Sequence, residues 1–295
     1  MSDGGRKRLM DRLVEANCSI KASPPQRKDI VYLCALLVRC TLPHRAQAET
    51  QFERRDGDYA ITFMSPSSVG LPFGMWPRLF LKFLSTEVVL TGQREIVLGS
   101  SMSAFVRSLG VSPTGGPNGS LHGFRSQLLR TLALMATLSR FGDGQATLQN
   151  CPVADRFEIL WTGLGTERDG VTPSKVIIGE RMFQEMLSSP VPLDRRALRA
   201  VQQSPLATDI YAWTTYRAYR LPASHPTCIP WASLRMQFAA GYGAESDFKA
   251  AFRSALHQVQ MVYPMLRCEA TPAHFVMWRS PPSVPATASR RVRGG

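Results

Sequence analysis

Three consecutive stretches decide the fold: Met102-Ser-Ala-Phe-Val-Arg-Ser-Leu-Gly110, Pro113-Thr-Gly-Gly-Pro-Asn-Gly119 and Ser120-Leu-His-Gly-Phe-Arg-Ser-Gln-Leu-Leu-Arg130. In the first, Met102, Phe105, Val106 and Leu109 fall on one side of a helix predicted over 101–109, and Gly110 stands just past its end. The second, with two prolines and three glycines, can continue neither helix nor strand and reads as a turn. In the third, Ser120 is placed to cap a long helix predicted to run to about Arg140. Leu121, Phe124, Leu128, Leu132 and Met135 recur every three or four residues and must face the core. His122, Arg125, Ser126 and Arg130 then lie on or beside the opposite face, which carries no carboxylate. A basic, hydrogen-bonding outer helix after a helix and a turn is how a protein enters the major groove of DNA, against the alternative of an ordinary solvated face.

Upstream, Leu79, Phe80, Phe83, Leu84, Val88 and Val89 mark a helix over 77–90, Gly92 stops it, and Glu95 to Leu98 is a short strand. Downstream, strands are predicted near 147–149, 156–162 and 174–178, with a charged loop over 163–170. Helix, strand, helix, turn, helix and hairpin is the order of a winged helix. Such modules also bind proteins, so the order alone does not establish DNA contact. Earlier still, Asp56-Gly57 sits between alternating stretches and signals a β-hairpin over 51–64. Residues 1–45 hold nine basic and four acidic residues, with an apolar helical stretch from Asp29 to Arg39.

The second half repeats the plan after a helical connector over 194–221. A helix over 231–238 ends at Gly241-Tyr-Gly243, a helix follows over 247–262, and a short hairpin joins 267–268 to 274–278. Phe252-Arg-Ser-Ala-Leu256 echoes Phe124-Arg-Ser-Gln-Leu128, an echo short enough for chance but set in the same order of elements. Phe248, Phe252, Ala255 and Val259 form the buried stripe, while Lys249, Arg253, His257 and Gln260 line the outer face. The predicted class is therefore α+β and helix-rich, with tandem winged-helix domains carrying short β-hairpin wings. The expected division is a basic N-terminal arm or helix over 1–50, a first winged helix over 51–190, and connector helices with a second winged helix over 191–280. A disordered basic tail over 281–295 completes the chain.

The chain of 295 residues has 35 basic against 22 acidic residues, a formal charge of +13. Only six of the basic residues are Lys, leaving 29 Arg. A high-GC genome explains that ratio but not the net charge. Guanidinium forks fit phosphates and guanine edges, so a nucleic acid is the first partner to consider. The candidate DNA contacts are Thr114, Gly115, Asn118 and Ser120 in the turn, with His122, Arg125, Ser126 and Arg130 on the helix. Arg168 in the wing loop, Lys175 beyond it, and Ser246, Lys249, Arg253 and His257 in the second half complete them.

No Gly-x-x-x-x-Gly-Lys-[Ser/Thr], His-x-His, His-Glu-x-x-His or Gly-x-Ser-x-Gly occurs, so no catalytic or metal-binding residue is assigned and no cofactor is expected. Tyr211, Tyr216 and Tyr219 read as packing residues rather than as a nicking nucleophile. The six cysteines form no Cys-x-x-Cys and are expected reduced and mostly buried. No apolar run approaches the ~18–20 residues of a membrane span, and no signal peptide is seen. A cytoplasmic protein without membrane association is expected.

Gly70-Leu-Pro-Phe-Gly-Met-Trp-Pro-Arg-Leu-Phe-Leu-Lys82, Arg94-Glu-Ile-Val-Leu-Gly99 and Met102 to Gly110 with Thr114-Gly-Gly116 resemble plasmid replication initiators of the RepA type. Ile229-Pro-Trp231, Asp247-Phe-Lys249 and Tyr263-Pro264 match the second half of that family, and the resemblance spans roughly residues 55–280. It implies a non-enzymatic protein that binds plasmid origin repeats in double-stranded DNA and recruits the host helicase and initiator proteins. Homodimer formation is among the implied partnerships. A relaxase-like nicking enzyme and a winged-helix transcriptional regulator are the competing readings.

Overall fold

The computed structural model describes residues 3–57, 59–142, 145–161, 173–238, 242–286 and 288, without the side chains of 141, 142, 145 and 146. In chain order the helices are α1 Asp3–Ala22, α2 Ala35–Arg39, α3 Met75–Thr91, α4 Met102–Ser108, α5 Ser120–Leu132, α6 Glu180–Ser188, α7 Arg195–Val201, α8 Pro205–Ala218, α9 Trp231–Phe238 and α10 Glu245–Val262. The strands are β1 Ile30–Cys34, β2 Gln51–Asp56, β3 Tyr59–Met64, β4 Glu95–Gly99, β5 Met135–Gly142, β6 Gln145–Pro152, β7 Ala154–Glu158, β8 Ser174–Ile178, β9 Pro190–Asp194, β10 Thr227–Pro230, β11 Cys268–Ala270 and β12 His274–Met277. The chain divides into two compact units, residues 45–190 and residues 1–44 with 191–295.

In the unit of residues 45–190, the predicted hairpin forms as β2–β3, with Gly57 at φ 63° making its turn. A left-handed residue there costs glycine nothing, and any Cβ would be strained. This hairpin joins β5 and β6 in an antiparallel sheet of order β2-β3-β5-β6. A second sheet has the order β4-β8-β7, in which the strand between α3 and α4 pairs with the last strand of the later hairpin.

The long helix expected to reach Arg140 stops at Leu132. Residues Met135–Gly142 form a strand instead, hydrogen-bonded on one side to β3 and on the other to β6. A short apolar run suits either period, and here two flanking strands satisfy its backbone groups.

In the other unit, α8, β10, α9, α10, β11 and β12 follow one another, and the sheet order is β10-β12-β11. This is the order of α3, β4, α4, α5, β7 and β8 with their sheet β4-β8-β7, apart from the inserted β5–β6 hairpin. The order of elements and of strands thus recurs in the two units.

The N-terminal residues are not a separate arm. Leu13 and Ala16 of α1 are buried in the core formed with residues 191 onward, and α1 packs on α7 and α10. Arg196 ties its end down, donating to the Ser19 and Ser23 carbonyls at 3.0 and 3.2 Å while pairing with Asp194 at 2.7 Å. The stretch expected to be helical from Asp29 is a strand through Cys34, whose Ile30, Val31 and Tyr32 suit the β1–β9 pair. The connector is two helices, α7 and α8, each capped by a side chain, Asp194 and Ser204. The start of the tail expected to be disordered is packed. Val284 is 2% exposed, Ser283 Oγ lies 2.6 Å from the Tyr211 hydroxyl, and the Tyr263 hydroxyl donates to the Pro281 carbonyl. Residues 289–295 lie outside the described residues.

None of the six cysteines is disulfide-bonded; Cys34, Cys40 and Cys151 are buried, and Cys18 and Cys228 are exposed. Burial pushes the Cys151 thiol up to about 12 and the Cys268 thiol to about 11. Since the thiolate is the reactive form, alkylation of the native protein at pH 8 should modify Cys18 and Cys228 first. Mass-resolved labelling checks this; modification of Cys151 at the same rate as Cys18 would contradict the packing.

Candidate nucleic-acid interface

The site is built from α4, the turn over 113–119, and α5. Ser101 caps α4 by accepting from the Ala104 N–H at 3.3 Å, and the chain leaves the helix through Gly110 at φ 82°. The turn is closed by Thr114. Its hydroxyl accepts from the Ser120 N–H at 2.9 Å and its carbonyl from the Leu121 N–H at 3.2 Å, satisfying two first-turn donors of α5. Ser120 Oγ accepts from the Thr114 N–H at 2.8 Å and donates to the Ser112 carbonyl at 2.8 Å. The N-cap is Gly119, not Ser120; a Cβ at Gly119 would stand 2.2 Å from the Gly115 carbonyl oxygen. Thr114 and Ser120 therefore shape the turn, and Gly115 and Asn118 are exposed at its tip.

Rotation of α5 about its axis is set by Phe124. It is 0% exposed, with ring centroids of Trp76, Phe80, Phe105 and Trp161 at 5.6, 6.1, 5.5 and 6.1 Å. Burial of such a side chain contributes ~1.5–3 kcal/mol, before the edge-to-face terms. With ~100° of turn per residue, fixing Phe124 inward sends His122, Arg125 and Ser126 outward. All three are exposed, as expected, and so is Leu129 at 43%.

Arg130 is different. Its Nη1 donates to the Leu71 carbonyl at 3.1 Å and its guanidinium lies 5.6 Å from the Phe73 ring, while Gln127 Oε1 accepts from the Phe73 N–H at 2.8 Å. Arg130 and Gln127 together hold the segment 71–73 against α5. The assignment of Arg130 to the outer face is corrected accordingly.

Arg168, expected in a wing loop, lies outside the described residues. Lys175, on the outer face of β8, is 3.8 Å from Glu95 on the neighbouring strand.

In the second unit, Phe252 occupies the place of Phe124. It too is 0% exposed, with Trp231, Phe238, Phe248 and Phe275 at 5.5, 6.1, 5.8 and 5.3 Å. Arg253, Ser254 and His257 are exposed. Lys249 and Arg253 lie over the Trp231 ring, each at 5.5 Å, and lean toward the β11–β12 turn. There they reach the Pro272 and Thr271 carbonyls at 3.4 Å.

The start of α10 is acidic: Ser246 is exposed between Glu245 and Asp247, and Glu245 pairs with Lys249 at 2.7 Å. The Lys249 hydrogen bond holds the Glu245 carboxyl below its ordinary range. These acids suit the helix dipole but oppose a phosphate, which disfavours Ser246 as a backbone contact. In contrast, no Asp or Glu occurs from Ile96 to Gly142, the span that contains α4, the turn and α5.

The net charge is unevenly divided. Residues 1–44 and 191–295 hold 21 Lys and Arg against 9 Asp and Glu, and residues 45–190 hold 14 against 13. Sequence reasoning missed Leu129 and Ser254, although the helical period that exposes Arg125 exposes both. Tyr211, read as a packing residue, is buried with its hydroxyl engaged by Ser283 and the Asp194 N–H, whereas Tyr219, read the same way, is 38% exposed. Among the described residues no helix is long and apolar enough to cross a membrane, and no three His, Cys, Asp or Glu side chains gather as a metal-ion group.

The architecture is similar to a crystal structure of domains 2 and 3 of RctB, with a TM-score of 0.50 at 11% identity, over 82% of this chain and 89% of that one. A second RctB domain 2–3 structure matches with a TM-score of 0.47 at 12% identity, over 79% and 83%. No curated protein sequence matches the chain. The family described as plasmid encoded RepA protein matches residues 71–232, more than half of the chain, which therefore belongs to that family.

The two arginines of α5 make opposite predictions for stability. Arg130→Ala removes a half-buried hydrogen bond and a ring contact and should cost ~1–2 kcal/mol in urea unfolding. Arg125→Ala, at an exposed position, should stay within ~0.5 kcal/mol. Equal losses would contradict the placement of Arg130 against segment 71–73.

Proposed function

We propose that the chain initiates plasmid replication by sequence-specific binding of duplex origin DNA through two winged-helix units. The single observation that carries the reading is the pair of helices α5 and α10. Each is locked by a phenylalanine among four aromatic rings, and each turns an arginine and a serine to solvent. The repeated strand orders β4-β8-β7 and β10-β12-β11, each following a pair of helices, support the winged-helix reading, in which the last helix before the hairpin enters the major groove. Family membership supports the initiator role. Origin opening, recruitment of the host helicase and homodimer formation are read from that membership. The protein acts in the cytoplasm.

Two units on one chain suit this task physically. A single helix reads only a few base pairs, and tethering makes the second binding event intramolecular. The basic unit of residues 1–44 and 191–295 adds phosphate attraction, which raises affinity without reading sequence.

Under this reading the chain binds and does not cut. The fully buried Tyr211 is no nucleophile for a DNA strand. Titration of the purified chain on the origin of its own replicon, beside random duplex, tests the proposal. Arg125→Ala should cost ~1–3 kcal/mol on the origin and little on random DNA. Supercoiled plasmid incubated with the protein and magnesium or manganese should remain unnicked. Equal affinity for origin and random DNA, or stoichiometric nicking, would overturn the reading.

A further inference from the structure

The five-residue echo falls at the same structural position in both units. Phe124 and Phe252 are buried in equivalent helices, Leu128 and Leu256 are buried one turn later together with Gln127 and Ala255 before them, and the two residues that follow each phenylalanine point outward in the same register. Arg125 and Arg253 are both exposed, as are Ser126 and Ser254. One turn after the arginine the helices part ways, because α5 presents Leu129, 43% exposed, where α10 presents His257.

We propose that the two helices read two copies of one short DNA element, sharing a base pair recognised by arginine and differing at a neighbouring base pair recognised by residue 129 or 257. The inference rests on the DNA-binding reading above and assigns its specificity. Arginine matches the O6 and N7 acceptors of guanine in a two-point geometry, so the shared base is a guanine. Serine donates to or accepts from any base edge and adds little discrimination. Leu129 offers only apolar contact, and the one apolar group in the major groove is the thymine methyl. His257 offers an imidazole that donates or accepts, which suits a purine edge. An apolar side chain against a purine acceptor, or an imidazole against a methyl, leaves polar groups unpaired. Position 129 or 257 is therefore where the elements diverge.

The test is selection of binding sites from randomised duplex DNA by the full chain, followed by competition titrations. Wild type should recover two elements with a common guanine. One should prefer thymine at the divergent position, and the other a purine. The reciprocal double variant, Leu129→His with His257→Leu, changes only exposed positions and should exchange those two preferences by about tenfold each while both guanines persist. Circular dichroism and retained nonspecific affinity confirm that the variant is folded. If wild type selects no sequence, the DNA-binding reading itself fails. If wild type selects a site whose halves share no guanine, or the exchange leaves both preferences unchanged, this inference alone is overturned.

Discussion

Everything proposed for this protein depends on the seating of one phenylalanine in each unit. An α-helix on a protein surface has one soft degree of freedom, rotation about its own axis, and that rotation decides which side chains a partner meets. Phe124 and Phe252 remove it: each ring sits among four other aromatic rings at centroid distances between 5.3 and 6.1 Å. Loss of either ring to alanine would cost ~3–5 kcal/mol and would release the rotation together with the stability. The arginine that follows each phenylalanine is therefore presented to solvent by packing that is remote from solvent. The same cluster accounts for Gly123, where a Cβ would stand 2.8 Å from Trp76 Nε1 and push α3 from α5.

Net charge and carboxylate-free helix surface fall in different units of the molecule. Residues 45–190 are nearly balanced in charge, yet their α5 lies in a span without a single carboxylate. Residues 1–44 and 191–295 hold most of the excess of basic residues, yet their α10 begins with Glu245 and Asp247. Phosphate attraction acts over about a Debye length and needs only net charge, whereas base readout needs fixed geometry and an unblocked helix face. The start of α5 is thus free of carboxylates where the start of α10 is not, while the excess of positive charge lies with the unit that holds α10. Its Lys249 and Arg253 are steered by Trp231 toward the hairpin turn, which extends the basic surface from helix to hairpin.

Much of this was legible from residue spacing alone. The helix over 231–238, the strand from Glu95, the hairpin at Asp56-Gly57 and the outward Arg125 and Arg253 all follow from local period and turn chemistry. What escaped was nonlocal. Residues 122, 126 and 130 look like one face at intervals of four, but each step drifts ~40° around a helix of 3.6 residues per turn. That drift carries Arg130 to segment 71–73, a contact no local pattern announces. Residues 133–142 are apolar enough for either period, and pairing with β3 and β6 chose the strand. Ser283 and Val284 pack as single residues without periodicity, so the end of the chain read as a tail. The membership of α1 in the second unit rests on Leu13 and Ala16 packing into a core of residues 191 onward, with Arg196 reaching Ser19 across 177 residues of sequence.

The central claim is that two equivalent helices of one chain each hold guanine in the major groove. Guanine N7 methylation interference on the origin of the protein's own replicon measures this directly, because methylation blocks the atom to which each arginine donates. The account predicts two separate clusters of interfering guanines, one insensitive to methylation in Arg125→Ala and the other insensitive in Arg253→Ala. A single cluster, or the same guanines affected by both substitutions, would contradict it.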